Sequence, residues 1–185
     1  SLASIGGFID GWSLVIPKEH TYSMRKFFTD SAFVDIANKM LKRIRDAYRK
    51  KSIIFEHGAN HEGSITACGT NHAHLHIIPY EKSLLKQMFH DDSVQWIECK
   101  ITDVERIVQK KEYWFYAENV VDIEDAKGYI HIIEKPESQY FRRLLAEKEG
   151  YTKEYDYKCN LFLDKGEATY ASLVKKYDEE RTDSN

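Results

Sequence analysis

The sequence predicts a mixed helix-and-strand domain of the α+β class. Three observations predict it. Apolar residues recur at helical spacing through one long segment, short β-branched and aromatic runs flank that segment, and two aromatic runs in the second half read as a hairpin. In chain order, Trp12 to Pro17 (WSLVIP) is a short apolar run closed by proline, which predicts a buried strand. From Ser31 to Lys51, Phe33, Ile36, Ala37, Met40, Leu41, Ile44 and Tyr48 fall on one helical face, while Lys39, Lys42, Arg43, Arg45 and Asp46 take the others. Asp30 or Ser31 can cap this helix by accepting from its free backbone N–H groups. Ser52 to Glu56 (SIIFE) predicts a second core strand. A polar loop, residues 57–71, follows, and its Gly58, Gly63 and Gly69 permit sharp turns and close backbone approach to a ligand. A third strand, HAHLHIIP from His72 to Pro79, leaves the loop.

The second half predicts a short helix at 81–90, a strand around Val94 to Glu98, and an antiparallel hairpin. The hairpin joins Tyr113 to Glu118 (YWFYAE) with Tyr129 to Glu134 (YIHIIE) through a long acidic connection. Pro136 stops it, Ser138 to Lys148 and Glu167 to Arg181 read as helices, and the final TDSN reads as a fraying tail. No repeat, low-complexity segment or linker divides the chain. Residues 1–185 are therefore expected to form a single domain, with a core motif region at 1–80 and a C-terminal extension at 81–185.

Composition narrows the function. With 27 Lys+Arg against 30 Asp+Glu, the net charge of −3 argues against a protein that holds long nucleic acids by neutralising phosphates, while leaving room for a small basic pocket. The three cysteines, Cys68, Cys99 and Cys159, lie far apart with no CxxC pair, which supports neither a disulfide framework nor a thiolate zinc site. The segment SLASIGGFIDGWSLVIP has no basic leader ahead of a long apolar core, and no apolar run approaches the ~18 residues of a membrane span. The expectation is a reduced, cytoplasmic setting with no membrane partner.

The chemistry concentrates in one strand. Side chains alternate across a strand, so His72, His74 and His76 project to one side while Ala73, Leu75 and Ile77 face the core. Alternate residues stand ~7 Å apart at a rise of ~3.3 Å per residue, so the three imidazoles form a row able to surround one small anionic centre. An imidazole titrates near neutrality and serves as a nucleophile when neutral or as a donor to a phosphate oxygen when protonated. A single histidine on such a strand reads as structural. Three in register do not.

The run HAHLHIIP, preceded by SLVIPKEH at Ser13 to His20 and by FEHG at Phe55 to Gly58, resembles the histidine triad (HIT) superfamily of nucleotide hydrolases and transferases. Its signature is three alternating histidines separated by apolar residues. The likeness covers about the first 80 residues, and SQYFRR at Ser138 to Arg143 resembles a C-terminal segment of some larger members. The resemblance implies an antiparallel sheet with flanking helices, paired as a homodimer, that binds a nucleoside phosphate at the triad. It implies no required cofactor, a divalent metal entering only as a counter-ion of the substrate. By the same resemblance His74 is the nucleophile, attacking the α-phosphorus and forming a covalent nucleotidyl-histidine that water or another acceptor resolves. His72 would fix the backbone and tautomer that orient His74, and His76 would hydrogen-bond a phosphate oxygen. The substrate expected is a nucleoside phosphoramidate, a dinucleoside polyphosphate or a nucleotide conjugate.

Around that substrate are expected Trp12, His20, Glu56, Gly69, Thr70 and Asn71. Backbone N–H groups from Gly69 to Asn71 are candidate donors to the transferring phosphate, with Thr70 or Asn71 near the leaving group. Three positions depart from the family pattern. Trp12 follows Gly11 where many members have histidine, and it either stacks on substrate or packs. Glu56 stands where relatives often carry Asn or Gln, and its charge repels phosphate unless it is protonated or neutralised. Gly69 replaces a serine that commonly assists the leaving group. The family's first strand would fall at or before Ser1, leaving Ser4, Ile5 and Phe8 as the nearest candidates for base or ribose contact. Arg142 and Arg143 read either as a fork onto phosphate oxygens or as two exposed helix residues. The tyrosine-rich YTKEYDYKCNLF from Tyr151 reads as a cover for the site, a partner surface or core. Two other functions stay open on the residues alone. One is a catalytically weak triad-fold binding protein, and the other is a zinc-dependent hydrolase in which Glu56, His57, His61 or Cys68 completes coordination by the triad.

Overall fold

The computed structural model describes residues 1–64, 72–135 and 137–182. Seven strands form one antiparallel sheet: β1 (Leu2–Ala3), β2 (Ser13–Val15), β3 (Ser52–Gly58), β4 (Leu75–Pro79), β5 (Ile97–Lys100), β6 (Tyr113–Val120) and β7 (Lys127–Ile132). Their order across the sheet is β1-β2-β4-β3-β6-β7-β5. Helices α1 (Ser31–Tyr48), α2 (Leu85–Met88), α3 (Val104–Val108), α4 (Tyr140–Glu149) and α5 (Leu163–Thr182) complete the α+β fold among the described residues. No helix among them is long and apolar enough to cross a membrane.

The predicted long helix is α1. Asp30 caps it, one carboxylate oxygen accepting from the Phe33 N–H at 2.9 Å. Phe33, Ala37, Met40, Leu41 and Ile44 are buried as the periodicity requires, whereas Ile36 is exposed at the margin of that face. The buried side packs on one face of the sheet, against Ile54 of β3, Leu75 and Ile77 of β4, and Phe115 of β6. The other face carries Ile53, Phe55, Ile78, Trp114 and Tyr116, covered by Phe141 and Leu145 of α4 together with Phe8 and Trp12. This alternation sorts the triad strand, since Leu75 and Ile77 go to the α1 face and His76 to the other.

Some boundaries move. The strand predicted from His72 begins at Leu75, because β2 ends with Val15 opposite Leu75 and leaves no partner to extend that ladder. His72 and His74 therefore sit on the approach to β4, whose backbone is tied down where the Ala73 N–H donates to the Thr21 carbonyl at 2.8 Å. The helix predicted at 81–90 shrinks to Leu85–Met88, the strand near 94–98 runs Ile97–Lys100, and the last helix starts at Leu163. Neither α3 nor the short β1 edge was legible in the sequence pattern.

Candidate functional site

A cavity of about 490 Å³ opens at the β1–β2–β4 end of the sheet, and His72, His74 and His76 line it together. Apolar walls come from Leu2 and Ile5 near β1, Leu14 and Ile16 around β2, and Leu161 from the segment between α4 and α5. Antiparallel register places Leu14 and Phe55 beside His76 on the two flanking strands.

Each histidine is oriented by a different protein atom. A ring nitrogen facing a carbonyl oxygen must carry the proton, because the oxygen can only accept. Nε2 of His72 donates to the Pro17 carbonyl at 2.9 Å, and Nδ1 of His74 donates to the His72 carbonyl at 2.9 Å. The neutral His74 ring therefore has its lone pair on Nε2. At His76 the polarity is reversed, since the Trp12 indole N–H is a donor only and approaches Nδ1 at 2.9 Å. Nδ1 of His76 is thus the acceptor and Nε2 carries the hydrogen. That Nε2 is buried and has no hydrogen-bond partner among the described residues. A buried donor left unpaired costs about 1–3 kcal/mol.

Ring packing fixes these positions further. His76 stacks on Phe55 with centroids 4.2 Å apart, and His74 meets His76 edge to face at 4.7 Å. Burial is the main cause that lowers the His74 pKa below its ordinary value; the bond to the His72 carbonyl opposes it, while the neighbouring His72 and Arg142 charges add to it. His76 is held well below its ordinary value, again by burial first and then by His74, Arg142 and His57. Both rings are neutral at pH 7, the form that nucleophilic attack through His74 requires.

Behind them stands Arg142. It is buried on α4, donates through Nε to the Tyr155 carbonyl at 2.7 Å and through an Nη to the Gly6 carbonyl, and lies 4.7 Å from the Trp12 ring centroid. One guanidinium thus ties the 151–161 segment to the N-terminal loop and presses on the indole that orients His76. Arg143 points elsewhere, to Glu137 and the Ser138 carbonyl.

The remaining expected residues separate into three groups. Trp12 sits behind the cavity as a buried orienting group, in contact with Phe8, which is likewise core and does not line the cavity. His20 is exposed and packs edge to face on His72 at 5.4 Å without lining the cavity. Glu56, expected beside the substrate, is corrected: Phe55 is the residue paired with His76, so its neighbour Glu56 projects from the opposite face. There it is fully buried, accepting from the Met24 N–H and the Tyr113 hydroxyl. Burial pushes its pKa up to about 7, with those two bonds and the Arg25 charge working the other way. Gly58, paired with Tyr113, makes this reach possible, because a Cβ there would lie 2.1 Å from the tyrosine ring. Gly69, Thr70, Asn71 and Cys68 lie outside the described residues.

Among the described residues no three His, Cys, Asp or Glu side chains gather as a metal site, and Glu56 faces away from the triad. His57 is half-buried among Phe55, Trp114 and Phe141, and desolvation drives its pKa down to about 3.

Sequence reading missed Leu14 and Ile16 as cavity residues, and it left a cover for the site as one of three readings of the segment that supplies Tyr157, Lys158 and Leu161. The alternation through residues 13–17 carried a signal for the first two. Nothing local marked Lys158. Neither protein-family models nor curated proteins give a match to the sequence.

Proposed function

We propose that this chain is a nucleotide hydrolase or nucleotidyltransferase of the histidine triad kind, acting at the α-phosphate of a nucleoside phosphate conjugate or dinucleoside polyphosphate. The observation that carries the reading is the Nδ1–H of His74 donating to the His72 carbonyl at 2.9 Å, which puts the reactive lone pair on Nε2 beside a cavity. In the first step that lone pair forms a bond to the α-phosphorus, and the bond to the leaving group breaks with its electron pair going to the departing atom. The product is a nucleotidyl-imidazolium still held by the His72 carbonyl. In the second step water, or another acceptor hydroxyl, bonds to phosphorus and loses a proton, and the electron pair returns to His74.

The Nε2–H of His76 is the donor for a non-bridging phosphate oxygen, where negative charge grows during transfer. The apolar walls suit a base, and no resident cofactor enters either step. A homodimer working in the cytoplasm belongs to the same proposal and rests on the family resemblance; mass measurement in solution tests the pairing.

Acid-labile label tests the chemistry. Wild-type protein incubated with α-³²P nucleotide substrate is expected to retain label that His74→Ala lacks, before and after chelator treatment. Nucleotide binding with no label would replace the enzyme by a binding protein, and label lost on chelation would favour the zinc-dependent reading.

A further inference from the structure

The charge of the cavity is one-sided. Among the described residues lining it there is no aspartate or glutamate, and its Lys and Arg side chains are Arg142 and Lys158. Arg142 is buried and engaged with the Tyr155 and Gly6 carbonyls and the Trp12 ring. His74 and His76 are neutral. Lys158 is different: it is exposed, and its ammonium forms no ion pair among the described residues. Asp156, two residues away, directs its carboxylate to the Lys158 backbone N–H at 3.1 Å and to Gln139 at 3.2 Å.

The position of Lys158 is built by the fold. Its segment is pinned where the Gly6 N–H donates to the Leu161 carbonyl at 2.6 Å and where the Cys159 and Asn160 N–H groups both donate to the Asp156 carbonyl, at 3.2 and 2.9 Å. Tyr157 lies so close over Gly6 that a Cβ there would stand 2.3 Å from the tyrosine Cβ. Lys158 is therefore presented on a fixed wall of the same cavity that the triad lines. A carboxylate in a nucleotide site accepts from sugar hydroxyls, whereas a cation in its place matches a phosphate. Among the described residues this lining offers the cation and no carboxylate.

Resting on the nucleotidyl-transfer reading, we propose that Lys158 binds a second phosphate of the substrate, distinct from the one His74 attacks, so that nucleotides with two or more phosphates are the preferred ligands. The second phosphate comes either from a polyphosphate chain or from the sugar. A nucleoside 5′-monophosphate, the matching 5′-diphosphate and the 3′,5′-bisphosphate separate these sources when their Kd values are measured on the full chain.

Wild type is expected to bind one two-phosphate ligand about tenfold more tightly than the monophosphate. Lys158→Gln is expected to bring the two within about twofold, and Lys158→Arg to keep most of the preference. The ligand that shows the preference identifies the source. A wild-type protein with no preference, or a Lys158→Gln protein that keeps it, overturns the proposal. Labelling of His74 in the same proteins keeps the two readings apart. Label without phosphate preference removes the Lys158 site alone, and preference without label removes the transfer chemistry while leaving the site.

Discussion

The Trp12 indole N–H donates to Nδ1 of His76 at 2.9 Å, and this bond decides which nitrogen of His76 carries the hydrogen. A histidine at position 12 would be able either to donate or to accept. Tryptophan has no such choice. Residue 12 therefore sets a tautomer that another residue uses.

Replacing Trp12 by Phe keeps an aromatic filler and removes the donor. His76 Nδ1 then loses its partner in a buried setting, and the ring is free to carry its hydrogen on either nitrogen. Urea denaturation is expected to show a loss of about 1–3 kcal/mol. Nucleotide affinity is expected to fall about tenfold. Unchanged affinity in a folded variant would mean that the orientation of His76 does not matter for binding.

Glu56 gives a pH signature independent of the triad. Its carboxyl titrates at about 7 when folded, against an ordinary value of 4.5, so between those values the native state holds the extra proton. The stabilisation from this carboxyl is fully present below about 4.5 and is lost as pH rises through about 7, to the extent of about 3 kcal/mol. Half-buried His57 and His74 and buried His76 act in the opposite direction. Their folded values are lowered, so they cost stability as pH falls below the ordinary histidine range. The difference between wild type and Glu56→Gln isolates the carboxyl, since the amide is neutral throughout. Denaturation at pH 5 and pH 8 is expected to show wild type losing stability relative to the variant as pH rises. Nucleotide binding at pH 7 is expected to be the same in both, because Glu56 faces away from the cavity.

What the sequence made legible was local. Asp30 before an amphipathic run, the alternation of HAHLHIIP and the paired aromatic strands are each decided by neighbours a few residues apart. The face on which Glu56 lies depends on the pairing of Phe55 with His76, a contact between strands separated by the loop, and no spacing within FEHG encodes it. Likewise the far wall of the cavity comes from Tyr157, Lys158 and Leu161, brought to the triad by Arg142 bridging Tyr155 and Gly6. The composition of that segment allowed a cover, a partner surface or core, and only long-range packing chooses among them.

Gly6 tests whether that wall matters. It has φ +74, and a Cβ would fall 2.3 Å from the Tyr157 Cβ and 2.9 Å from its Cα, so neither a rotamer change nor a small shift makes room. Gly6→Ala is expected to lower stability by about 1–3 kcal/mol and to weaken nucleotide binding as Tyr157 and Lys158 are displaced. Thermal melting together with ligand titration checks both, and full affinity in a destabilised variant would detach the wall from recognition.

The protonation state of His74 makes the last prediction. Attack through Nε2 needs the neutral ring, and burial lowers the His74 pKa below its ordinary value of 6.5. An unperturbed imidazole of that pKa would be only about a quarter neutral at pH 6. His74 is expected to be neutral to a greater extent than that at the same pH, so the acid limb of label formation should have its midpoint below 6.5. Single-turnover measurements with saturating substrate locate that acid limb. A midpoint at or above 6.5 would show that substrate phosphate, by attracting a proton to the ring, outweighs the burial that the cavity imposes.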